Sequence, residues 1–218
     1  MVLIEAMRAA TTFFYDVDTQ RDFMLPDGAL YGASASGIIA TLKAVNDFAR
    51  EKHVRIVASV DRHFAGDREL RSAGGPYPDH CMSGTAGQLK IDETKPIAPL
   101  FVENGHDLCD MEFAALVDYQ GELIVEKQDL NVFSGNRNAR KLISQLFERY
   151  HDAVIYGVFT DVCVDLAVRD FAKYDRKVHV ISDAIAPLDK DNARAAIERW
   201  QSAGVDLLTF EQLRSRLR

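Results

Sequence analysis

The sequence predicts an α/β protein, a three-layer αβα arrangement around a mainly parallel sheet of roughly six strands. Three observations predict it. Strand-like and helix-like segments alternate through most of the 218 residues, the pattern of a parallel sheet with helices on both faces. Several of the strand-like segments are apolar without interruption, as strands covered on both faces are. No repeat, low-complexity tract or Pro/Gly/Ser-rich linker divides the chain, so residues 1–218 read as one domain.

Taken in order, the aromatic, β-prone run from Thr11 to Val17 is the opening strand. It leads into a loop, LPDGALYGASAS. A helical pattern follows over 36–51, with Ile38, Ile39, Leu42, Val45 and Phe48 at helical spacing and Ser34 or Ser36 placed to cap it. VRIVASV (54–60) is a buried strand. Asp61 to Lys95 is polar and glycine-bearing, and a loop of that length in a compact fold is functional or disordered. APLFVEN and ELIVEK are strands, NARKLISQLFERY a helix and AVIYGVF a strand. TDVCVDLAVRDFAKY is a helix opened by Thr160 or Asp161 as N-cap. KVHVISD, KDNARAAIERWQSA, VDLLTF and EQLRSRLR close the alternation as strand, helix, strand and helix.

Bulk composition excludes some functions. Hydrophobic residues make up 47% of the chain, so disorder is not expected. A net charge of −7 argues against a nonspecific nucleic-acid or anionic-membrane binder. The opening MVLIEAMRAA lacks a long apolar core with a cleavage site, and no run reaches the roughly 18 apolar residues of a membrane span. Cys81, Cys109 and Cys163 are an odd set at wide spacing, read as reduced thiols. The expected compartment is the cytoplasm.

Ligands of open parallel sheets bind beyond the carboxyl ends of the strands. There the predicted strands deliver Asp18, then Asp61 and His63, then Lys127, and finally the turn into Cys163. Cys163 falls in the first turn of its helix, where free N–H groups and the helix dipole favour a thiolate and can hold an oxyanion. Alone, it reads better as a small core residue. Asp18 is placed to accept a thiol proton if its site raises its pKa. Lys127 is placed to balance negative charge, although a lysine at a strand end is more often a solvated terminus. Asp16 lies one pleat deeper and reads as a buried acid satisfied by backbone or hydroxyl donors. Asp61, His63 and His80 offer one carboxylate and two imidazoles, a donor set for zinc, iron or manganese, with Glu69 as a further candidate. A surface loop would also explain an Asp-x-His pair. Cys81 can pack or bind metal, and acids around Cys109 disfavour a thiolate there.

These residues, in this order, resemble the cysteine hydrolases of the isochorismatase-like superfamily, and within it the nicotinamidases. The shared motifs are DTQRDF (18–23), DRH (61–63), YPDHCMSGT (77–85), Lys127 ahead of NVFSG, and GVFTDVCV (157–164). The resemblance runs from about residue 12 to at least 190. It implies a triad of Asp18, Lys127 and Cys163 and an oxyanion hole from the N–H groups of Phe159 and Cys163. It also implies a cis Val158–Phe159 peptide, a divalent metal (zinc foremost) on Asp61, His63 and His80, and ring contacts from Phe23 and Tyr77. The implied activity is conversion of nicotinamide or a similar small carboxamide to its acid and ammonia through a cysteine thioester, and the implied assembly a homo-oligomer. The chain departs from the pattern where nicotinamidases commonly carry Trp and it has Arg62 and Tyr77. A bulky Phe159 also replaces a small residue. Pocket walls of that kind decide which amide fits.

Overall fold

The computed structural model describes residues 6–218, so the first half of the segment read for an export signal, MVLIE, lies outside the described residues. In chain order the elements are β1 (Thr12–Val17), α1 (Arg21–Met24), α2 (Ile39–Glu51), β2 (Arg55–Asp61), β3 (Leu100–Val102), α3 (Asp110–Asp118) and β4 (Leu123–Lys127). Then come α4 (Val132–Gly135), α5 (Ala139–Arg149), β5 (Asp152–Val158), α6 (Cys163–Phe171), β6 (Lys177–Ala186), α7 (Lys190–Ser202), β7 (Asp206–Leu208) and α8 (Phe210–Arg216). The strands form one sheet in the order β3-β4-β2-β1-β5-β6-β7, and every pair is parallel.

Among the described residues the sheet therefore has seven strands, against an expectation of roughly six, because both short edge strands pair. β3 and β7 have three residues each and cap opposite edges, which leaves little unpaired backbone exposed. The inner strands β1, β2, β4 and β5 are buried along their whole length, as their uninterrupted apolar sequences require. Alternation along β1 divides the core. Phe13, Tyr15 and Val17 face one layer with α5 and α6, and Phe14 faces the other with α2 and α8.

Three local expectations are corrected. Neither Ser34 nor Ser36 caps α2; a 3-10 turn over Ala35–Ile38 leads into it, and the Ser34 hydroxyl donates to the Pro187 carbonyl instead. Neither Thr160 nor Asp161 caps α6. That helix begins at Cys163, and the Asp161 carboxylate accepts from the Leu188 and Asp189 N–H groups at 2.8 and 3.0 Å. Finally, α3 was not read from the sequence. Its inward residues are few, Phe113 and Leu116, and Met111 beside them is exposed. Among the described residues no helix is long and apolar enough to cross a membrane.

The chain winds outward from β1 in both directions, with β2 on one side and β5 on the other. That reversal opens a crevice at the carboxyl ends of the central strands. Register aligns them: Val17 lies opposite both Ser59 and Gly157, and Asp61 opposite Lys127. Gly157 has φ +120°, and a Cβ there would come within 2.1 Å of the Val17 carbonyl oxygen. Only glycine lets β5 approach β1 this closely.

Candidate active site and metal centre

At the end of β1 the backbone turns sharply. Asp18 has φ +49°, a left-handed conformation uncommon for a non-glycine residue. Its N–H donates to the Ser59 carbonyl (3.2 Å) and its carbonyl accepts from the Gln20 N–H (2.7 Å). The turn brings the carboxylate under the crevice, fully buried, where the Ser59 hydroxyl donates to Oδ1 at 2.6 Å. Lys127 Nζ lies 3.1 Å from Asp18 Oδ2 and 3.7 Å from Cys163 Sγ, and also donates to Asp61. One ammonium thus bridges the three other groups. The expected solvated strand end does not occur, because Lys127 is 1% exposed.

The electrostatics follow from burial. Desolvation raises the Asp18 carboxyl despite Lys127 beside it, which moves it towards the range of a working base. Desolvation alone would lower Lys127, but Asp18, Asp61 and Cys163 hold it well above its ordinary value. Cys163 reverses the sequence expectation. Burial, with Asp18 and Asp61, outweighs Lys127 and pushes the thiol well above its ordinary value. Burial thus favours the protonated sulfur, beside an acceptor that the same site makes more basic.

Most N–H groups leading into α6 are engaged within the backbone. Thr160 N–H donates to the Ala186 carbonyl, and the Val162 and Val164 N–H groups donate to the Phe159 carbonyl. Among the described residues neither the Phe159 nor the Cys163 N–H donates to a backbone carbonyl. The Val158–Phe159 peptide is cis.

On the other side of Lys127, Asp61, His63, Glu69 and His80 converge, with one ligand atom from each within 4.8 Å of the others. His63 Nε2 is 2.9 Å and His80 Nε2 3.3 Å from Glu69 Oε1; the same nitrogens are 3.9 and 3.7 Å from Asp61 Oδ2. The other ring nitrogens are occupied, His63 Nδ1 with Asp67 (2.9 Å) and His80 Nδ1 with the Pro78 carbonyl (2.7 Å). That arrangement directs both Nε2 atoms inward. Burial opposes charge on each imidazole, yet the adjacent Asp61 and Glu69 carboxylates override it and raise His63 to about 10 and His80 to about 9. Burial likewise opposes Glu69, but the two histidines lower it to about 2. Asp61 Oδ2, His63 Nε2 and both Glu69 oxygens are buried without hydrogen-bond partners. A cage of two carboxylates and two imidazoles that concentrates negative field and leaves its donors unpaired fits a divalent cation. Glu69, open in the sequence, belongs to the cluster.

Cys163, Asp61 and His80 also line a narrow pocket with Phe23, Leu30, Tyr77, Leu130, Val158, Phe159, Val162 and Leu188. The Phe23 ring meets Phe159 edge-on at 5.6 Å and His80 at 5.3 Å. Phe159 fits because Gly32 lies behind it, where a Cβ would come within 2.2 Å of its ring. Arg62 turns away from the pocket to Glu126 (2.9 Å) and Ser83 (3.1 Å).

The structure thus brings together the residues that the resemblance assigns to the site: Asp18, Lys127, Cys163, Phe159, Phe23, Tyr77, Asp61, His63 and His80. Sequence reasoning missed the residues that hold them. Gln20 clamps Asp61 from both sides, accepting from its N–H and donating to its carbonyl, both at 2.7 Å. Asp22 accepts from the Cys81 N–H at 2.6 Å and so fixes the loop beside His80. Both lie within the DTQRDF motif, which was the available signal. Cys81 itself packs, fully buried, while Cys109 is exposed.

The isochorismatase-domain profile matches residues 16–212. The chain is 27% identical over 205 residues to the nicotinamidase/pyrazinamidase of Mycobacterium tuberculosis, covering 88% of this chain and 95% of that protein. It is also 27% identical over 215 residues to the nicotinamidase of Escherichia coli, covering 89% and 92%. Among solved structures, the zinc complex of Pyrococcus horikoshii pyrazinamidase superposes with a TM-score of 0.71 at 26% identity, covering 92% of this chain and 99% of that one.

Proposed function

The chain belongs to the isochorismatase family of hydrolases, and from that premise we propose that it hydrolyses nicotinamide, or a similar small aromatic carboxamide, to the acid and ammonia. One observation carries the reading: Lys127 Nζ sits between Asp18 (3.1 Å) and Cys163 (3.7 Å) beneath a pocket walled by aromatic rings. The likeness to two nicotinamidases and to a pyrazinamidase supports it.

In this mechanism Asp18 accepts the Cys163 proton as sulfur attacks the carboxamide carbon. The Phe159 and Cys163 N–H groups receive the oxyanion, and Lys127 offsets charge on the Asp18–Cys163 pair. Protonated Asp18 delivers its proton to the departing nitrogen, so ammonia leaves and a thioester remains. Asp18, again a carboxylate, takes a proton from the attacking water. Collapse of the second tetrahedral intermediate expels the sulfur, which recovers that proton, and releases the acid. Phe23 and Tyr77 orient the ring by contact with its faces. Asp61, His63, Glu69 and His80 would hold a divalent cation, zinc foremost, with iron or manganese able to use the same donors. When bound it supplies a Lewis-acidic anchor for a basic ring atom of the substrate.

The test is ammonia release from nicotinamide by wild type and by Cys163→Ala. The proposal expects turnover by the first and loss of about 10⁴-fold or more in the second; equal rates would end the nucleophile assignment. A second reading, a different small amide, is favoured by Tyr77 and by the Phe159 ring seated against Gly32, both of which reshape the pocket wall. A panel of carboxamides ranked by kcat/KM separates the two.

A further inference from the structure

Asp16 is 1% exposed on the α2 side of the sheet, and neither the site geometry nor the mechanism uses it. The sequence expectation of hydroxyl donors is met, since the Thr19 hydroxyl donates to Asp16 Oδ1 at 2.9 Å. The larger partner was not foreseen. Lys90, itself buried, places Nζ 3.1 Å from the same oxygen. Asp16 Oδ2 remains buried without a hydrogen-bond partner. A buried ion pair left partly unsatisfied stabilises a fold no better than an apolar pair of the same volume, so burial energy does not account for it.

Its connections do. Thr19 follows Asp18 directly, in the turn that holds Asp18 at φ +49°. A residue kept in a sparsely populated conformation persists only where its neighbours over-determine it. Here they are Asp16 and Thr94 on the Thr19 hydroxyl (2.9 and 2.7 Å), and the Ile91 N–H on the Thr19 carbonyl (3.1 Å). Lys90 lies in the return limb of the long loop, which runs antiparallel along the turn. Arg21 N–H donates to Leu89, Lys90 bridges to Gln20, and the Gln20 amide donates to both Gln88 and Asp61. The ion pair pins that limb to β1 directly behind Asp18.

We propose that Asp16, with Lys90, is a positioning residue for the reaction. Through the Thr19 hydroxyl it locks the turn that aims the Asp18 carboxylate at Cys163 and, through Gln20, keeps Asp61 in register with it. Removing the lock lets the turn relax while the pocket that binds substrate stays intact. The inference rests on the proposed function only for its kinetic readout.

The test uses two variants. Asp16→Leu/Lys90→Met replaces the pair by apolar side chains; Thr19→Val removes the hydroxyl and leaves the pair in place. Each is measured by thermal melting, by kcat and KM with nicotinamide, and by the rate of iodoacetamide alkylation of Cys163 in a Cys109→Ser background, because Cys109 is exposed. The lock predicts cooperative melting in both variants, kcat lowered at least tenfold with KM within twofold, and an alkylation rate changed at least threefold. Thr19→Ser, which keeps the hydroxyl, retains wild-type values. Wild-type kcat and alkylation in folded Thr19→Val or in the folded paired variant would overturn the proposal and leave Asp16 a purely structural residue. If the paired variant does not fold, Thr19→Val decides. If wild type does not turn over nicotinamide, that result counts against the proposed substrate, and the alkylation rates decide the lock.

Discussion

Two clusters of titratable side chains lie at opposite ends of the sheet, the first partly open to solvent through Asp206 and Arg216 and the second buried. At the amino ends, His179 is held between Asp152 (2.8 Å, through Nε2) and Asp206 (3.3 Å, through Nδ1), and Arg216 closes the set on Asp206 at 2.7 Å. None of these atoms is left without a hydrogen-bond partner. At the carboxyl ends, Asp61 Oδ2, His63 Nε2 and both Glu69 oxygens are buried without a well-aligned hydrogen bond, and Asp18 Oδ2 has only the Lys127 ammonium beside it at 3.1 Å. Burying polar atoms is tolerated when they satisfy one another and costly when they do not. The first cluster is therefore complete as it stands and ties β5, β6, β7 and α8 together. The second has the donor set that a divalent cation would complete. Unpaired buried oxygens and an imidazole nitrogen gathered on one cluster distinguish the carboxyl end, where the candidate site lies.

The contrast is broken most directly at Asp18. Asp18→Asn keeps the shape and removes the proton acceptor, so kcat should fall by about 10²–10⁴-fold while the variant folds and still binds substrate in a direct titration. Retention of kcat would remove the distinction between the two ends. A smaller effect belongs to Asp67, whose carboxylate holds His63 Nδ1 at 2.9 Å. Asp67→Ala should weaken divalent-metal binding by about 10–100-fold in a competition titration with a chromophoric chelator. Unchanged affinity would mean that the imidazole needs no such orientation.

The amino end gives the smallest effect, on a different axis. Burial works to raise the Asp152 carboxyl, but hydrogen bonds from His179 and His151 override it and hold it below its ordinary value. A carboxyl lowered on folding contributes stability that is complete above its unfolded value, about 3.9, and is lost as pH falls through its folded one. Asp152→Asn should therefore cost about 1–3 kcal/mol in chemical denaturation at pH 7, with the gap to wild type closing below about pH 4, and kcat should stay within twofold. A large loss of kcat would show that the two ends are coupled.

Much of this was legible in the sequence, because catalytic and ligating side chains must be particular residues at particular strand ends. Alternation and spacing place Asp18, Asp61, His63, Lys127 and Cys163 at the carboxyl ends of the strands, but alone they favour a solvated Lys127 and a packed Cys163, and the motif resemblance raises Asp18 above Asp16. What stayed hidden depends on register and packing. Ser59 reaches Asp18 only because β2 lies beside β1 in one alignment. Lys90 looks like a surface lysine until the loop is folded back. The upward push on the Cys163 thiol runs against a helix-dipole argument worth roughly 0.3–1 kcal/mol at an exposed helix start, because burial beside two carboxylates is the larger effect. The α3 helix, with a single apolar edge, fell below what periodicity detects.

The central claim is that Cys163 carries the acyl group. The direct measurement is an acid quench of the enzyme during turnover of nicotinamide, followed by mass spectrometry of the peptide containing Cys163. The expected result is that peptide with one added nicotinoyl group, absent in Asp18→Asn. An unmodified Cys163 peptide under rapid, single-turnover sampling, with ammonia released at the wild-type rate, would contradict it.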